Sequence, residues 1–531
     1  MSMKALKKES LGYKKIDFHK VIFIVLVILG GSIFWLSPHL PMTDLAQHEG
    51  QVSLMHDLWN GQSKWNDLLS VNLFTPYVLG YCLAFPLTFL VPVAVSFKIA
   101  LTFGFFAFVY SCTLMRKHFC GDERLDLLFI PGFFGLSYSW GQYPFLLAVP
   151  FAILFIILSD RYAKSPKPNG GMALAISSIF LFFSHGLVFL FANTIGAIFI
   201  IINNKRFAEK LISAWPYLIS LILVIIYKFV QYKTQQQSSD SYVSYDTLWW
   251  EHWRERLFFP LYSLISFAPT TKSLRGNEGV ILIGVFLSLA PMLFNSPINK
   301  RNVSVFVPMS VLILVWMLVP ESYDRGSFIF QRFSIFLLPF YAIIFSKPTE
   351  TSRSGEPANM AATKSNHWQS LVALVCLIFL AIQADRVVGF ARESSDFDEI
   401  LQTVEPGQRA LSLILDRRSA AANNIAAYLH YPLWYQSEKH GLVDYNVAEV
   451  HNMIVRYNRE DMPHLYPGFE WSPGKFDWEK NQGWIYRYFF VRESDPNAFP
   501  EFFRRDGPCQ VSLLKSKGTW AVYENHGCKA K

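Results

Sequence analysis

The chain has 531 residues, 52% of them hydrophobic and 16% aromatic, with a mean hydropathy of +0.24. Only 17% are charged, against roughly 25% in soluble domains. Apolar runs of spanning length recur, which excludes a soluble globular protein and predicts a polytopic membrane protein. The formal charge of +8 does not imply nucleic acid as a partner, because Lys and Arg collect in the cytoplasmic loops of such proteins.

Residues 1–20 form a basic arm, with Lys4, Lys7, Lys8, Lys14, Lys15 and Lys20 against Glu9 and Asp17, which places the N-terminus in the cytoplasm. The first apolar run, Val21–Leu36, lacks a small-residue cleavage site and reads as a retained anchor. It delivers Ser37–Asn72 to the outer side, where Asp44, Glu49, Asp57 and Asp67 face Lys64. An amphipathic helix is expected there from about Leu45. Two apolar runs then precede the basic Arg116, and two crossings would leave that cluster outside, against the positive-inside rule. Leu73–Val91, interrupted by Pro76, Pro86 and Gly80 and followed by Pro92, is therefore read as lying in the outer leaflet, and the first outer loop spans about 37–96.

Basic clusters at Arg116/Lys117/Arg124, Arg161/Lys164/Lys167, Lys205/Arg206/Lys210, Lys300/Arg301 and Lys347/Arg353/Lys364 then alternate with apolar spans. These spans are Leu125–Tyr138, Pro144–Ser159, a hairpin over Met172–Ile202 with His185 at its outer tip, Leu211–Val230, Gly279–Phe294, Val303–Pro320, Phe328–Ser346 and Gln369–Val388. The count is about eleven crossings. The transmembrane module is 21–388, with a second outer loop at about 231–279 and a Ser/Thr/Ala/Pro-rich cytoplasmic linker at 347–367. An odd number of crossings puts the tail, 389–531, in the periplasm.

The tail reads as an α/β domain with strands at Ala410–Leu415, Trp484–Val491 and Cys509–Leu514 and a helix near Ala498–Arg505. Cys509 and Cys528 lie outside two short strands joined at a Lys-Gly turn. They form either a disulfide, adding about 3 kcal/mol in an oxidising compartment, or two separate thiols. No internal repeat, P-loop or dinucleotide fingerprint is present.

This arrangement resembles the GT-C fold glycosyltransferases, the superfamily of protein O-mannosyltransferases, aminoarabinose transferases and the catalytic subunit of oligosaccharyltransferase. The resemblance lies in layout over about Val21–Val388 and, in sequence, in TDLAQHEG (Thr43–Gly50). It implies an α-helical polytopic membrane protein of the inner membrane with a C-terminal periplasmic α/β domain. It also implies transfer of a sugar from a polyprenyl-phosphate-linked donor to a glycan, lipid or protein acceptor, with membrane lipids as surroundings. Asp44 takes the role of catalytic base or metal ligand; on its own pattern it also reads as the N-cap of the following helix. His48, at i+4 from Asp44, and Glu49 join it as catalytic candidates or form the polar face of a surface helix.

The family's second acidic outer loop is here SYSWGQYP, without a carboxylate. A divalent metal (Mg or Mn) therefore stays an open alternative, with Asp246 or Glu251 as the substitute ligand. The phosphate leaving group calls for cations on the outer side, and Arg325 and Arg332 supply them. His185 and Tyr143 face the same cavity as substrate-binding candidates, as does Glu251, although a His in an apolar helix is also a structural hydrogen-bonder and Tyr and Trp also mark any membrane interface. The tail histidines His430, His440, His451 and His464 lack ligand spacing and read as surface residues. Two other classes compete: a transporter or flippase for a lipid-linked glycan, and a non-catalytic membrane assembly partner. Convergence of Asp44, His185, Arg325 and Arg332 on one outward cavity separates them from an enzyme.

Overall fold

The computed structural model describes residues 18–203, 206–236, 249–263, 277–323, 326–348, 358–450, 452–458, 462–466, 468–493 and 509–528. In chain order the elements begin with α1 (Phe18–Ser32), α2 (Leu45–Trp59), β1 (Leu69–Val71), α3 (Val78–Ala84), α4 (Val93–His118), α5 (Phe129–Gly132) and α6 (Leu136–Trp140). Then follow α7 (Tyr143–Lys164), α8 (Pro168–Ser184), α9 (Gly186–Asn203), α10 (Phe207–Ser213), α11 (Trp215–Gln236), α12 (Trp253–Ser263), α13 (Glu278–Ser288), α14 (Ala290–Leu293), α15 (Val307–Leu318), α16 (Leu337–Ala342) and α17 (Ala358–Thr403). The C-terminal part holds β2 (Arg409–Ile414), α18 (Trp434–Lys439), β3 (Leu442–Asp444), β4 (Val455–Tyr457), β5 (Tyr488–Arg492), β6 (Cys509–Lys517) and β7 (Trp520–Cys528).

Six helical segments among the described residues are long and apolar enough to cross a membrane, beginning at Phe18, Val93, Tyr143, Gly186, Trp215 and Asn366. They differ in what surrounds them. The apolar window of α7 is 83% buried and that of α11 only 11%, so α7 is the hub and α11 lies at the periphery. Leu218, Leu221, Ile222, Ile225 and Phe229 of α11 are all more than half exposed, an apolar surface that only lipid would cover without penalty.

Among the described residues, two of the expected spans are not continuous helices. Leu125–Tyr138 breaks into a 3₁₀ turn, α5 and α6 at Pro131, Gly132 and Gly135. The segment Phe328–Ser346 breaks into a 3₁₀ turn and α16. Residues 124–139 are buried throughout, and irregular backbone at membrane depth is tolerated where protein, not lipid, surrounds it. The helical run Val78–Phe89 rises about 18 Å, short of the roughly 30 Å hydrocarbon thickness. The hairpin of α8 and α9 turns on a single residue, His185, as the Ser178–Asn193 hydrogen bond (3.1 Å) across it shows.

The C-terminal sheet has strand order β3-β2-β5-β7-β6, parallel through β3, β2 and β5 and antiparallel at β7 and β6. Its period-2 alternation sorts two cores. Ala410, Ile414, Tyr488, Phe490, Trp520 and Val522 belong to the main core, with the Phe397 ring of α17 packed at a tilt against Trp520, centroids 4.7 Å apart. Leu411, Leu413, Phe489, Val491, Ala521 and Tyr523 face the other way, onto Phe469, Phe476 and Tyr486. Strand β5 starts at Tyr488 and not Trp484, because Gly483–Ile485 makes a 3₁₀ turn. The expected helix at 498–505 lies outside the described residues. Backbone register sets Cys509 opposite Cys528; their side chains are outside the described set.

Helix α2 is not an amphipathic surface helix. It is buried over almost its whole length, clasped by the C-terminal part. Gln47 Oε1 accepts from Val447 N (2.7 Å), Gln51 Oε1 accepts from Val455 N (2.9 Å), and Ser53 donates to Gln436 O (3.2 Å). A Cβ on Gly50 would lie 2.6 Å from Gln436 Nε2, so the glycine sets the approach of α18. Strand β1 then pairs antiparallel with β4.

Candidate functional site

Asp44 precedes α2 at the N-cap position, yet its side chain makes no capping hydrogen bond. The backbone around it is held instead by the α6–α7 turn: Thr43 N donates to Ser139 O (3.2 Å) and Asp44 N to Trp140 O (2.8 Å). That approach requires Gly141, which has φ +79° and where a Cβ would sit 2.9 Å from Asp44 N. Asn424 of the C-terminal part locks both strands of the contact, its amide donating to Pro41 O (3.2 Å) and Ser139 O (3.3 Å).

Freed from capping, the Asp44 carboxylate lies in a recess with 27% of its side-chain surface open, and its Oδ1 is 3.4 Å from His430 Nε2. Burial pushes its pKa from 3.8 up to about 7; the Arg332 charge and a hydrogen bond from the Trp140 side chain pull it down, and Glu470 pushes it up. The open fraction keeps the carboxyl in reach of water.

His430 is a correction: it was expected on the surface and is buried (6% exposed) against Asp44. Burial lowers its pKa to about 3, so it stands beside the carboxyl as neutral imidazole. His440 meets the surface expectation better, being 61% exposed while pairing with Asp57 at 2.9 Å. His464 is exposed, and His451 lies outside the described residues.

His48, one turn on, is buried, and its Nδ1 lies 2.7 Å from the Tyr81 hydroxyl. Burial lowers it to about 3. Neither it nor Glu49 lies on an exposed polar face. Glu49 is 1% exposed and sits about 140° round the helix from Asp44. Burial holds its carboxyl well above the usual range, the Glu438 carboxylate adds to this, and Lys98 opposes it. Tyr143 is fully buried, ringed by Phe97 (4.4 Å), His48 (6.0 Å) and Tyr81 (6.1 Å). It backs His48 and does not line open space.

His185 is buried edge-on between Tyr77 (5.1 Å) and Phe145 (5.2 Å). Arg332 lies over the other partner of that contact, its Cζ 5.9 Å from the Phe145 ring. Its guanidinium donates to Ser327 O (2.6 Å) and Phe328 O (3.1 Å), and its charge reaches Asp44, Tyr77 and His185. Phe328 has φ +55°, a conformation that costs a bulky L-residue about 1–2 kcal/mol and turns its carbonyl into this contact. Asp44, His48, His185 and Arg332 thus belong to one cluster. Arg325 and Asp246 lie outside the described residues. Glu251 stands against Glu321, which burial and the Glu251 carboxyl push up to about 8; Gln331, the residue before Arg332, hydrogen-bonds to Glu321.

The rim of the recess is aromatic: Trp140 packs on Phe328 (4.4 Å) and lies near-parallel to Trp471 (6.5 Å), over which Arg417 Cζ sits at 4.9 Å. Sequence reasoning missed His430, Asn424, Glu470 and Trp471, all from the C-terminal part. One signal was available for His430, a lone His inside the apolar run AAYLHYPLWY. Among the described residues no three His, Cys, Asp or Glu side chains group as metal ligands.

No family model and no curated protein matches the chain. Among solved structures it is similar to arabinofuranosyltransferase AftD from Mycobacteria, with 11% identity and a TM-score of 0.47 over 97% of this chain and 40% of that one. A point-mutant class of the same enzyme gives 12% identity and a TM-score of 0.45 over 96% and 42%. The chain therefore spans about two fifths of the length of those structures, a similarity too distant to transfer a residue or an activity.

Proposed function

We propose that the chain is a GT-C-type membrane glycosyltransferase of the inner membrane, which moves a sugar from a polyprenyl-phosphate donor to a glycan, lipid or protein acceptor at the periplasmic face. The observation that carries this reading is Asp44: a recessed carboxyl, relieved of capping, 3.4 Å from the buried His430 and within the field of Arg332, its pKa pushed up to about 7 by burial. Ionised Asp44 takes the proton from the acceptor hydroxyl or amide as it attacks the anomeric carbon. The bond from that carbon to the donor phosphate breaks, and polyprenyl phosphate leaves with the electron pair. Arg332 is the cation that meets the charge growing on the departing phosphate. His430 orients the carboxylate, and His48, held by Tyr81 and backed by Tyr143, and His185 wall the site. Glu49 and Glu251 are left out of the reacting shell, the first by burial beside Lys98 and the second by its partnership with Glu321.

The test is glycan mass spectrometry of cells carrying the wild type, a deletion, or Asp44→Asn at matched membrane abundance. Loss of one and the same sugar unit in the deletion and in Asp44→Asn is expected. A wild-type glycan from Asp44→Asn would overturn the catalytic assignment.

A further inference from the structure

The recess around Asp44 continues outward along a strip of side chains to which the reaction so far assigns no role. Trp140 begins it: its side chain hydrogen-bonds the Asp44 carboxylate, so this indole stands at the reacting end. Trp471 lies next, near-parallel to Trp140 with ring centroids 6.5 Å apart. Arg417 ends the strip, its Cζ 4.9 Å from the Trp471 ring. The three come from separate parts of the chain: the end of α6, the 3₁₀ turn Phe469–Trp471 and the loop after β2.

Trp471 is anchored at its base and open at its ring. Gly468, at φ +73°, leads the chain into the turn. Phe469 is fully buried against Tyr466 (5.4 Å), Glu470 acts on Asp44 through its charge, and Trp471 stays 42% exposed. A ring fixed in this way offers contact area with little freedom left to lose on binding. Arg417 keeps donors for a ligand. Asp416, the acid beside it, is shared between Arg418 (3.1 Å) and Arg492 (3.7 Å), and among the described residues no acid pairs with Arg417. Sugars match this chemistry, because their C–H faces pack on indole rings and their hydroxyls accept from a guanidinium. A lipid acceptor would set acyl chains against Arg417 and the exposed Arg418, with nothing to offset their desolvation. A peptide acceptor is gripped largely through its backbone, whereas the strip offers ring faces and a guanidinium.

We propose that Trp471 and Arg417 form the acceptor subsite and that the acceptor is a carbohydrate chain, its reacting sugar at Trp140 and the preceding sugar packed on Trp471 with hydroxyls accepting from Arg417. This assignment rests on the transferase reading of the recess. The test measures retention of an immobilised array of short oligosaccharides of hexose, pentose and N-acetylhexosamine units, free of lipid and peptide, by the full-length protein in mild detergent. Asp44→Asn, run beside the wild type, removes transfer and keeps the strip, so binding is read apart from chemistry; both proteins are expected to retain the same oligosaccharides. Trp471→Leu should weaken that retention about tenfold and Trp471→Phe, which keeps a ring face, about threefold. Arg417→Gln should weaken it as well; it breaks no ion pair among the described residues, so it tests the site even if Trp471→Leu loosens the tail. No oligosaccharide retained by the wild type, or retention undiminished in both Trp471→Leu and Arg417→Gln, overturns the proposal. If Asp44→Asn cells lose a sugar unit and the protein binds no oligosaccharide, the subsite falls and the transferase reading stands. If binding depends on Trp471 and deletion changes no glycan, the transferase reading falls, and with it the acceptor role of the site.

Discussion

Replacing Asp44 by Asn separates the two readings of this residue through stability alone. A capping carboxylate makes a bond to the helix backbone that Asn makes about as well, so on that reading the exchange changes stability little and at no particular pH. The structure has no such bond, and it has a carboxyl whose pKa is raised from 3.8 to about 7. Between those values the folded state binds a proton that the unfolded chain has released. Stability is therefore full below about pH 4 and falls as pH rises to about 7, beyond which the loss is constant. A shift of about three units at roughly 1.4 kcal/mol each gives a ceiling of about 4 kcal/mol for holding Asp44 ionised. Asn escapes this penalty at every pH. Relative to wild type, Asp44→Asn should gain about 3 kcal/mol between about pH 4.5 and pH 8, or roughly 3 °C in unfolding midpoint for a chain of this length. The assay is thermal unfolding of both proteins in the same detergent across that range. An Asp44→Asn protein less stable than wild type at pH 8, or a difference that does not change with pH, refutes the account of the recess. Greater stability together with lost transfer is the signature of a strained functional group.

Transfer by the wild type should rise with pH about tenfold between pH 6 and pH 8, following ionised Asp44; a profile flat through pH 7 excludes it as the base. Arg332→Ala removes a charge that holds the Asp44 pKa down, so the residual activity should have its acid limb moved to higher pH and a weakened donor KM, with Arg332→Lys restoring the pH limb but not the full KM. Gly141→Ala removes no side-chain contact, yet its Cβ meets the backbone N of Asp44 at 2.9 Å with φ +79°; it should destabilise by at least about 1 kcal/mol and cut activity in parallel. Alkylation before and after reduction should reveal two extra labelled thiols if Cys509 and Cys528, register partners on β6 and β7, are bonded.

What the sequence made legible followed periodicity and charge. The first anchor, the His185 turn and the β2 and β6 stretches are local signals, each set by a run of residues that does not depend on distant partners. The TDLAQHEG stretch drew attention to Asp44 because an acid beside a membrane span is unusual. The sequence did not show what Asp44 faces. His430 lies 386 positions along the chain, and no spacing rule links two residues brought together by a tertiary contact. The same holds for α2, expected as an amphipathic surface helix, whose Gln47, Gln51 and Ser53 carry nothing in sequence that marks them as buried. They are buried hydrogen-bonding groups that meet the backbone of Val447 and Val455 and the carbonyl of Gln436. A polar residue looks alike in sequence whether its partner is water or a distant peptide group.

These buried amides also bear on the choice between an enzyme and an assembly partner. A tail that only recruits other proteins needs no polar contact with the first outer loop, and leaving such groups buried without partners costs about 1–3 kcal/mol each. Here Asn424, Val447 and Val455 satisfy groups on or beside α2, and the same docking brings His430 to Asp44 and Trp471 to Trp140. One interface holds α2 in place and completes the recess. Weakening it away from Asp44, as Gln51→Leu does by stranding Val455 N–H, should reduce transfer and shift the acid limb of the pH profile, because His430 moves with the tail. An assembly role predicts loss of partner binding with no pH shift. A Gln51→Leu protein with an unaltered pH profile and lowered thermal stability would sever the tail from the chemistry.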